Sequence, residues 1–501
     1  MLGRLLTISA ACGLLFIGVT PLAAQPGDCD PEPAMALIWQ LSEEEDAIIY
    51  SLSLSADGRY LVFSVNSFNA PTYVARYDRL LCQVEFVSAD ENGEPDDQFA
   101  DALDTAISAD GQYVAFASDS LPYNPSVFLR NMNSGEIRRI SEPAQAYLPT
   151  MSADGRYIVY STYALEEWDD PPGVFLYDRL LDETTEITLS DQPVHAAYHA
   201  SISADGQFIA FFSNNETVIS HPFHEWGDVF LYEIGTGDLT LITTDVPRQQ
   251  PALSADGRFT VFNSGHALVD DDTNMVQDVY VYDRLTGDIE RVSVASDGSE
   301  GNRNSGDYHS VISGDGRYVV FSSAAENFVN DDMTRFIQYD VFVHDRETRQ
   351  TKRVSVDSDG RQVNFAAAYT AISADGRFIA FTGNYDLPED LPERNLWLKL
   401  YLTDWQQLPD APPDVPDRNV FPTATPTLRW SAITWAAAYE IQIDDNDDFS
   451  SPVYHSATLT AAEVTTPELP NGVYYWRVRA QRPNGTWSEW SVVDSFVVDV
   501  P

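Results

Sequence analysis

A nine-residue block recurs seven times along this 501-residue chain and constrains its fold more than any other feature. It first stands at residues 55–63 as Ser-Ala-Asp-Gly-Arg-Tyr-Leu-Val-Phe, and returns starting at Ser108, Ser152, Ser203, Ser254, Ser313 and Ser373. The block aspartates are Asp57, Asp110, Asp154, Asp205, Asp256, Asp315 and Asp375, spaced 44 to 60 residues apart. Self-similarity at such a period, in short apolar runs bounded by turn residues, marks an architecture built of stacked or radially arranged units.

Each repeat reads the same way. An apolar or small tripeptide precedes the block, and the Asp-Gly pair then reverses the chain, with Gly supplying the positive φ of a tight hairpin. The apolar run that follows suits a strand buried on both faces. A loop of variable length leads to a third strand, such as 174–178 or 279–283, and a polar turn leads to a fourth, such as 289–294. Four strands repeated seven times predict an all-β chain whose main domain is a seven-bladed β-propeller. Residues 36–42 resemble a fourth strand that has no blade of its own, and the seventh repeat has only a weak fourth strand. The N-terminal strand is therefore expected to complete the last blade. The aspartate and serine of each block are read as turn chemistry, because seven identical turns cannot all be an active site.

Bulk composition narrows the function classes. The formal net charge is −48, and lysine occurs only at Lys352 and Lys399. Nucleic acid and anionic membrane surfaces, which need clustered positive charge, are disfavoured as partners. Arg4, the apolar run 5–19 and the small residues ending at Ala24 read as a signal peptide over residues 1–24. Lipidation at Cys12 is disfavoured, because its preceding residues lack the leading Leu and an apolar run follows. Export would leave Cys29 and Cys82 as a pair compatible with one disulfide or with two free thiols. The expected location is secreted, periplasmic or cell-surface. Residues 25–408 are assigned to the propeller, 409–424 to a Pro-rich linker containing Pro-Asp-Ala-Pro-Pro-Asp-Val-Pro, and 425–501 to a small β-sandwich.

The seven Ser-x-Asp-Gly-[Arg/Gln]-[Tyr/Phe]-x-x-[Phe/Tyr] blocks make residues 34–409 resemble the TolB-like propeller repeats, relatives of WD-repeat propellers. That resemblance implies a protein or peptide partner in the cell envelope. The blocks do not fit the sialidase box, which has an extra residue before Gly. The C-terminal part is similar to a fibronectin type III domain, through Thr-Leu-Arg-Trp-Ser at Thr427, Ala-Tyr-Glu-Ile-Gln-Ile at Ala438 and Gly-Val-Tyr-Tyr-Trp-Arg-Val-Arg-Ala at Gly472. Trp487-Ser488-Glu489-Trp490-Ser491 matches the WSxWS box of cytokine-receptor modules. Arg477 and Arg479 share one face of a strand and are placed to stack with Trp487 and Trp490, a structural device.

Function is sought where the repeats differ. The residue six before each block aspartate sits near the start of the innermost strand, close to the channel mouth. Round the ring it is Ser51, Asp104, Leu148, His199, Gln250, His309 and Tyr369. The polar members, Ser51, Asp104, His199, Gln250, His309 and Tyr369, form the candidate ligand site. His195, His199, His221 and His224 are candidate transition-metal ligands, and His266 falls on the same face. Asp270, Asp272 and Asn274, with the similar run 330–332, are candidate calcium ligands, although the EF-type terminal Glu is missing. The acidic run 444–448 is read as a turn in the sandwich. No nucleophile elbow, H-E-x-x-H or P-loop occurs, and too few residues follow the repeats for an α/β-hydrolase. The leading expectation is a non-enzymatic, monomeric exported binding protein with no obligatory cofactor, calcium being the candidate ion. Its propeller face would recognise a protein or peptide, with the sandwich as spacer or adhesion module. A glycan-active enzyme or carbohydrate-binding surface protein using the acidic and histidine-bearing face is the alternative, and a purely structural surface role is a third.

Overall fold

The computed structural model describes residues 35–500 with interruptions, among them 41–46, 163–172, 214–225, 330–338, 357–366, 385–397 and 407–418. The signal-peptide segment, Cys29, His195, His221, His224, the run 330–332 and residues 409–416 lie outside the described residues. Every element in the described chain is a β-strand, and no helix there is long and apolar enough to cross a membrane.

Among the described residues, seven sheets have four antiparallel strands each. Six of them use strands in chain order, one sheet per repeat, as in Ala47–Leu54, Tyr60–Ser67, Tyr73–Asp78 and Gln83–Phe86. The last combines Ala367–Ile372, Phe378–Asn384 and Leu398–Asp404 with Met35–Gln40 from the other end of the chain. Met35 pairs with Thr403 and Gln40 with Lys399, with a bulge between Leu37 and Trp39.

The first strands of successive sheets lie against one another, and that of the last lies against that of the first, so the sheets close a ring. The block alanines stitch it. Ala56 N donates to Ala109 O (3.0 Å), Ala109 N to Ala153 O (2.9 Å) and Ala153 N to Ala204 O (2.8 Å). The circuit continues from Asp205 N to Ala255 O, Ala255 N to Gly314 O and Gly314 N to Ala374 O, and closes from Ala374 N to Ala56 O (3.0 Å). Only small residues fit here: a Cβ on Gly314 would lie 2.9 Å from Ala374 O.

The rest of the block is equally structural. Ser55 Oγ donates to Asp57 Oδ1 (2.8 Å) and accepts from Tyr60 N (2.9 Å), and the other six turns repeat the serine–aspartate bond. Gly111 has φ of 73°, and a Cβ there would lie 2.2 Å from the Tyr60 ring, so the block glycine serves both the turn and the seat for the preceding repeat's aromatic residue. Arg59, Arg156, Arg258, Arg317 and Arg377 pair with Asp78, Asp178, Asp283, Asp345 and Asp404, at the ends of the third strands. Arg156 and Arg258 hold the carboxyls of Asp178 and Asp283 below the usual range by hydrogen bonding.

Apolar residues pack between sheets. Val62, Val74 and Val87 meet Ile107, Val114 and Phe116, whereas Ile49, Leu61 and Phe63 meet Ala380, Leu400 and Leu402. Second strands are covered on both faces, hence their unbroken apolar runs. At roughly 1.5–3 kcal/mol per buried large side chain, these seams dominate the stability of the ring.

The C-terminal strands form a five-stranded sheet, Asn419–Phe421, Asp494–Val498, Gly472–Gln481, Ala438–Asp444 and Tyr454–Leu459 in spatial order. A two-stranded sheet, Thr427–Arg429 with Glu463–Thr465, shares its core of Leu428, Trp430, Ile441, Val464, Trp476 and Phe496. Asn419–Phe421 falls inside the expected linker 409–424, which is thereby corrected. The segment pairs in parallel with Phe496–Val498, a long-range contact that its short sequence does not announce. Arg479 lies over Trp487 (5.1 Å) and Trp490 (4.5 Å), and Arg477 over Trp490 (4.7 Å) and Phe449 (4.2 Å). Asp444 is fully buried and accepts from Asp445 N and Ser451 N, which is turn chemistry.

Candidate functional site

Inside the ring, the first strands enclose a cavity of about 630 Å³. All six polar positions of the sequence reading, Ser51, Asp104, His199, Gln250, His309 and Tyr369, line it together with Leu148. The inner strands reach this end through irregular pairing. Register shifts fall between Ile49 and Leu52, Tyr147 and Thr150, Tyr198 and Ser201, and Ala367 and Thr370. At the equivalent positions Leu148 and His199 the backbone is left-handed, with φ of 49° and 53°. A non-glycine residue pays for that conformation, leucine especially, and bulges of this kind re-aim side chains at functional sites.

Several polar groups at the mouth join neighbouring sheets. Ser51 Oγ accepts from Thr105 N (3.0 Å) and bonds Thr105 Oγ1 (3.0 Å). Asp104 Oδ2 accepts from Leu148 N (3.0 Å), and Gln250 Nε2 donates to Ala200 O (2.8 Å). Thr370 Oγ1 donates to His309 O (2.8 Å). Ser51, Asp104 and Gln250 therefore hold the ring at this end, as the alanine circuit does further along.

Other groups are not spent in this way. His309 Nε2 is buried with no partner among the described residues, and desolvation pushes its imidazole down to about 4, so it is neutral at pH 7. Ser201 is 8% exposed, its Oγ has no partner among the described residues, and it lines the cavity. Desolvation pushes the Asp104 carboxyl up to about 6, against the opposing pull of the Leu148 N–H. Tyr308, 38% exposed, meets Tyr339 edge-on at 5.4 Å and Tyr369 at 6.4 Å. Tyr339 Oη donates to Asp307, a second carboxylate in the lining. The sequence reading missed Ser201, Asp307, Tyr308 and Tyr339. The first three flank the chosen column, and only the unequal length before the sixth block hints at Asp307 and Tyr308.

Solved structures with related strand arrangement include TolB from Acinetobacter baumannii, with 16% identity and TM-score 0.36 over 48% of this chain and 53% of that one. The β-propeller domain of the Trilobed protease from Pyrococcus furiosus, described as having an open velcro topology, has 12% identity and TM-score 0.48 over 72% and 94%. Oligogalacturonate lyase from Vibrio parahaemolyticus has 13% identity and TM-score 0.47 over 74% and 93%. The match spans about half the length of the Acinetobacter chain. No family model matches the chain, and no curated protein does.

The calcium candidates meet a different cation. Arg291, with a side chain only 2% exposed, lies among Asp272 (3.3 Å), Asp278 (3.7 Å) and Glu300 (3.0 Å), and donates to Asp271 O (2.8 Å). Asp272 also accepts from Tyr280 Oη, and Asn274 bonds Asp278 and Gly301 O. The guanidinium takes the central place that an ion would need, while Asp270 is exposed at the edge of the loop. Among the described residues, no group of three or more His, Cys, Asp and Glu side chains is arranged to hold a metal. His199 stands in the channel wall and His266 on the exposed surface. Cys82 is disulfide-bonded.

Proposed function

We propose that the protein is an exported, monomeric binding protein whose seven-bladed propeller receives a segment of an envelope or extracellular protein in its channel mouth. The carrying observation is a cavity of about 630 Å³ whose wall combines left-handed Leu148 and His199, the unpartnered His309 Nε2 and the exposed Tyr308 ring. Its size lies within the ordinary range for ligand sites, and apolar walls with a few convergent polar groups suit an extended peptide. The C-terminal strands, read as a fibronectin type III module, act as spacer or adhesion unit. The Arg477–Trp490–Arg479 stacking supports that assignment. Cys29 is proposed as the disulfide partner of Cys82.

The test uses the mature chain and its His199→Ala/His309→Ala/Tyr369→Ala variant on envelope extract. The expected result is a partner retained by the parent at least tenfold better than by the variant. Its binding should protect backbone amides in 148–151, 199–202 and 307–312 from hydrogen exchange. Equal retention, or protection confined to the sandwich, would overturn the reading. A carbohydrate-active reading is favoured only by the two channel carboxylates, Asp104 and Asp307, and predicts release of reducing sugar from surface glycans.

A further inference from the structure

The channel presents two acids, while its surroundings show how this chain treats buried charge elsewhere. At the Arg291 site, carboxylates close round a guanidinium supplied by the chain itself. At the ends of the third strands, five aspartates each have a block arginine. Asp104 and Asp307 differ: among the described residues, neither is in an ion pair and none of those lining the cavity is a lysine or arginine. Their recorded donors are neutral, Leu148 N for Asp104, and Tyr339 Oη and Asn304 Nδ2 for Asp307. They stand on opposite parts of the wall. Asp104 leads into the second sheet and Asp307 into the sixth, three sheets apart round a ring of seven.

Two further features point to what would meet them. Ser201 Oγ, in a side chain more than nine-tenths buried, lines the same cavity with no partner and can accept one N–H. Beside Asp307, the rings of Tyr308, Tyr339 and Tyr369 converge, with Tyr308 presenting its surface to the mouth. An aromatic face next to a carboxylate attracts an amine or guanidinium through both the ring quadrupole and the charge. The same wall disfavours anions, since its described residues offer them two like charges and no counter-charge.

From this juxtaposition we propose that the channel mouth binds the basic side chain, lysine or arginine, of an extended peptide segment. The inference rests on the peptide-binding reading above and gives it a chemical class. The cation lies against Tyr308, with Asp307 and Asp104 as counter-charges and Ser201 as a neutral acceptor.

The probes are acetylated, amidated pentapeptides with alanine at four positions and arginine, citrulline or glutamate at the centre. They are titrated calorimetrically into the mature chain at about 0.3 M salt, where surface attraction is screened. Citrulline keeps the shape and most of the hydrogen bonds of arginine and removes its charge. The arginine peptide should bind about tenfold more tightly than the citrulline peptide, and the glutamate peptide should not bind. Asp307→Asn and Asp104→Asn should each bring the arginine-to-citrulline ratio to about threefold or less. Each removes only one charge from a net of −48, so general attraction to an acidic protein would leave that ratio unmoved. Tyr308→Leu, which retains apolar volume, should weaken the arginine peptide alone. Equal binding of the arginine and citrulline peptides would overturn the cation while leaving peptide binding standing, as would a ratio indifferent to both Asn variants. Failure of all three peptides would overturn the inference, with the envelope-partner experiment then deciding the broader reading by itself.

Discussion

Five of the seven block turns are anchored by an arginine whose guanidinium meets an aspartate on the third strand of its own sheet. The two exceptions change both partners. Gln112 replaces the arginine in the second repeat, and the residue paired beside it is Asn131; in the fourth, Gln207 is accompanied by Glu233. A lone arginine would bring an uncompensated charge, and a lone aspartate would lose its fork of donors. The arrangement predicts a coupled pair in the second sheet. Gln112→Arg alone should change stability by less than about 0.5 kcal/mol, whereas Gln112→Arg with Asn131→Asp should add roughly 1 kcal/mol, as partly exposed bidentate pairs do. A double-mutant cycle by urea unfolding measures the coupling, and a value near zero would reduce the five native pairs to decoration. At this scale the sequence announces the turn but conceals the partner, which lies 19 to 28 residues downstream on another strand. It becomes legible only when the Arg/Gln alternation is compared with the Asp/Asn/Glu alternation.

The element with the greatest leverage is the strand Met35–Gln40. It covers the outer edge of Leu398–Asp404, which is otherwise an unpaired row of donors and acceptors. Deleting residues 25–40 should lower the melting temperature by several degrees and promote association through the bared edge. Thermal unfolding together with sedimentation velocity reads both effects; an unchanged melting temperature and a monomeric profile would show that the ring does not depend on this strand. The strand could be anticipated because it resembles the fourth strands of complete repeats and because the last repeat lacks one. Asn419–Phe421 could not. Three residues carry no periodicity, and their partner lies some 75 positions away near the C-terminus. The bulges at Leu148 and His199 were hidden as well, since nothing in a leucine advertises a left-handed backbone.

Across the whole molecule, charge burial sets the response to pH. Desolvation pushes Asp104 and Asp278 up to about 6, so their contribution to stability is complete below the unfolded value near 4 and is lost as pH rises through about 6. His309 and His344, pushed down to about 4 by desolvation, have the opposite sign: their contribution is present above about 6.5 and is lost as pH falls towards 4. Two groups of each kind, roughly 3 kcal/mol apiece, nearly offset one another, so stability should be flat between about pH 4 and 6.5. Below that, protonation of the arginine-bound aspartates removes further stability. Asp104→Asn should stabilise the protein by up to roughly 3 kcal/mol at pH 7 and by only roughly 1 kcal/mol at pH 4.5. Denaturant titrations at the two pH values measure this, and an equal effect at both would refute the buried-charge explanation. The repeats thus made the sheets and the candidate column readable. The division of that column into residues that hold the ring and residues that face the cavity depended on distances across the channel, which no linear pattern contains.

The alanine circuit has one more consequence. Its seven bonds all run in the same rotational sense, each repeat giving an N–H to its successor and the seventh giving one back to the first. A loop of donors with no beginning is also a gauge of copy number. Gain or loss of one repeat would change its circumference and leave a gap or an excess at a seam, even if every individual repeat folded correctly. The protein can therefore lengthen its loops freely, as the spacing of 44 to 60 residues attests, while its count of repeats is held by the alanine circuit.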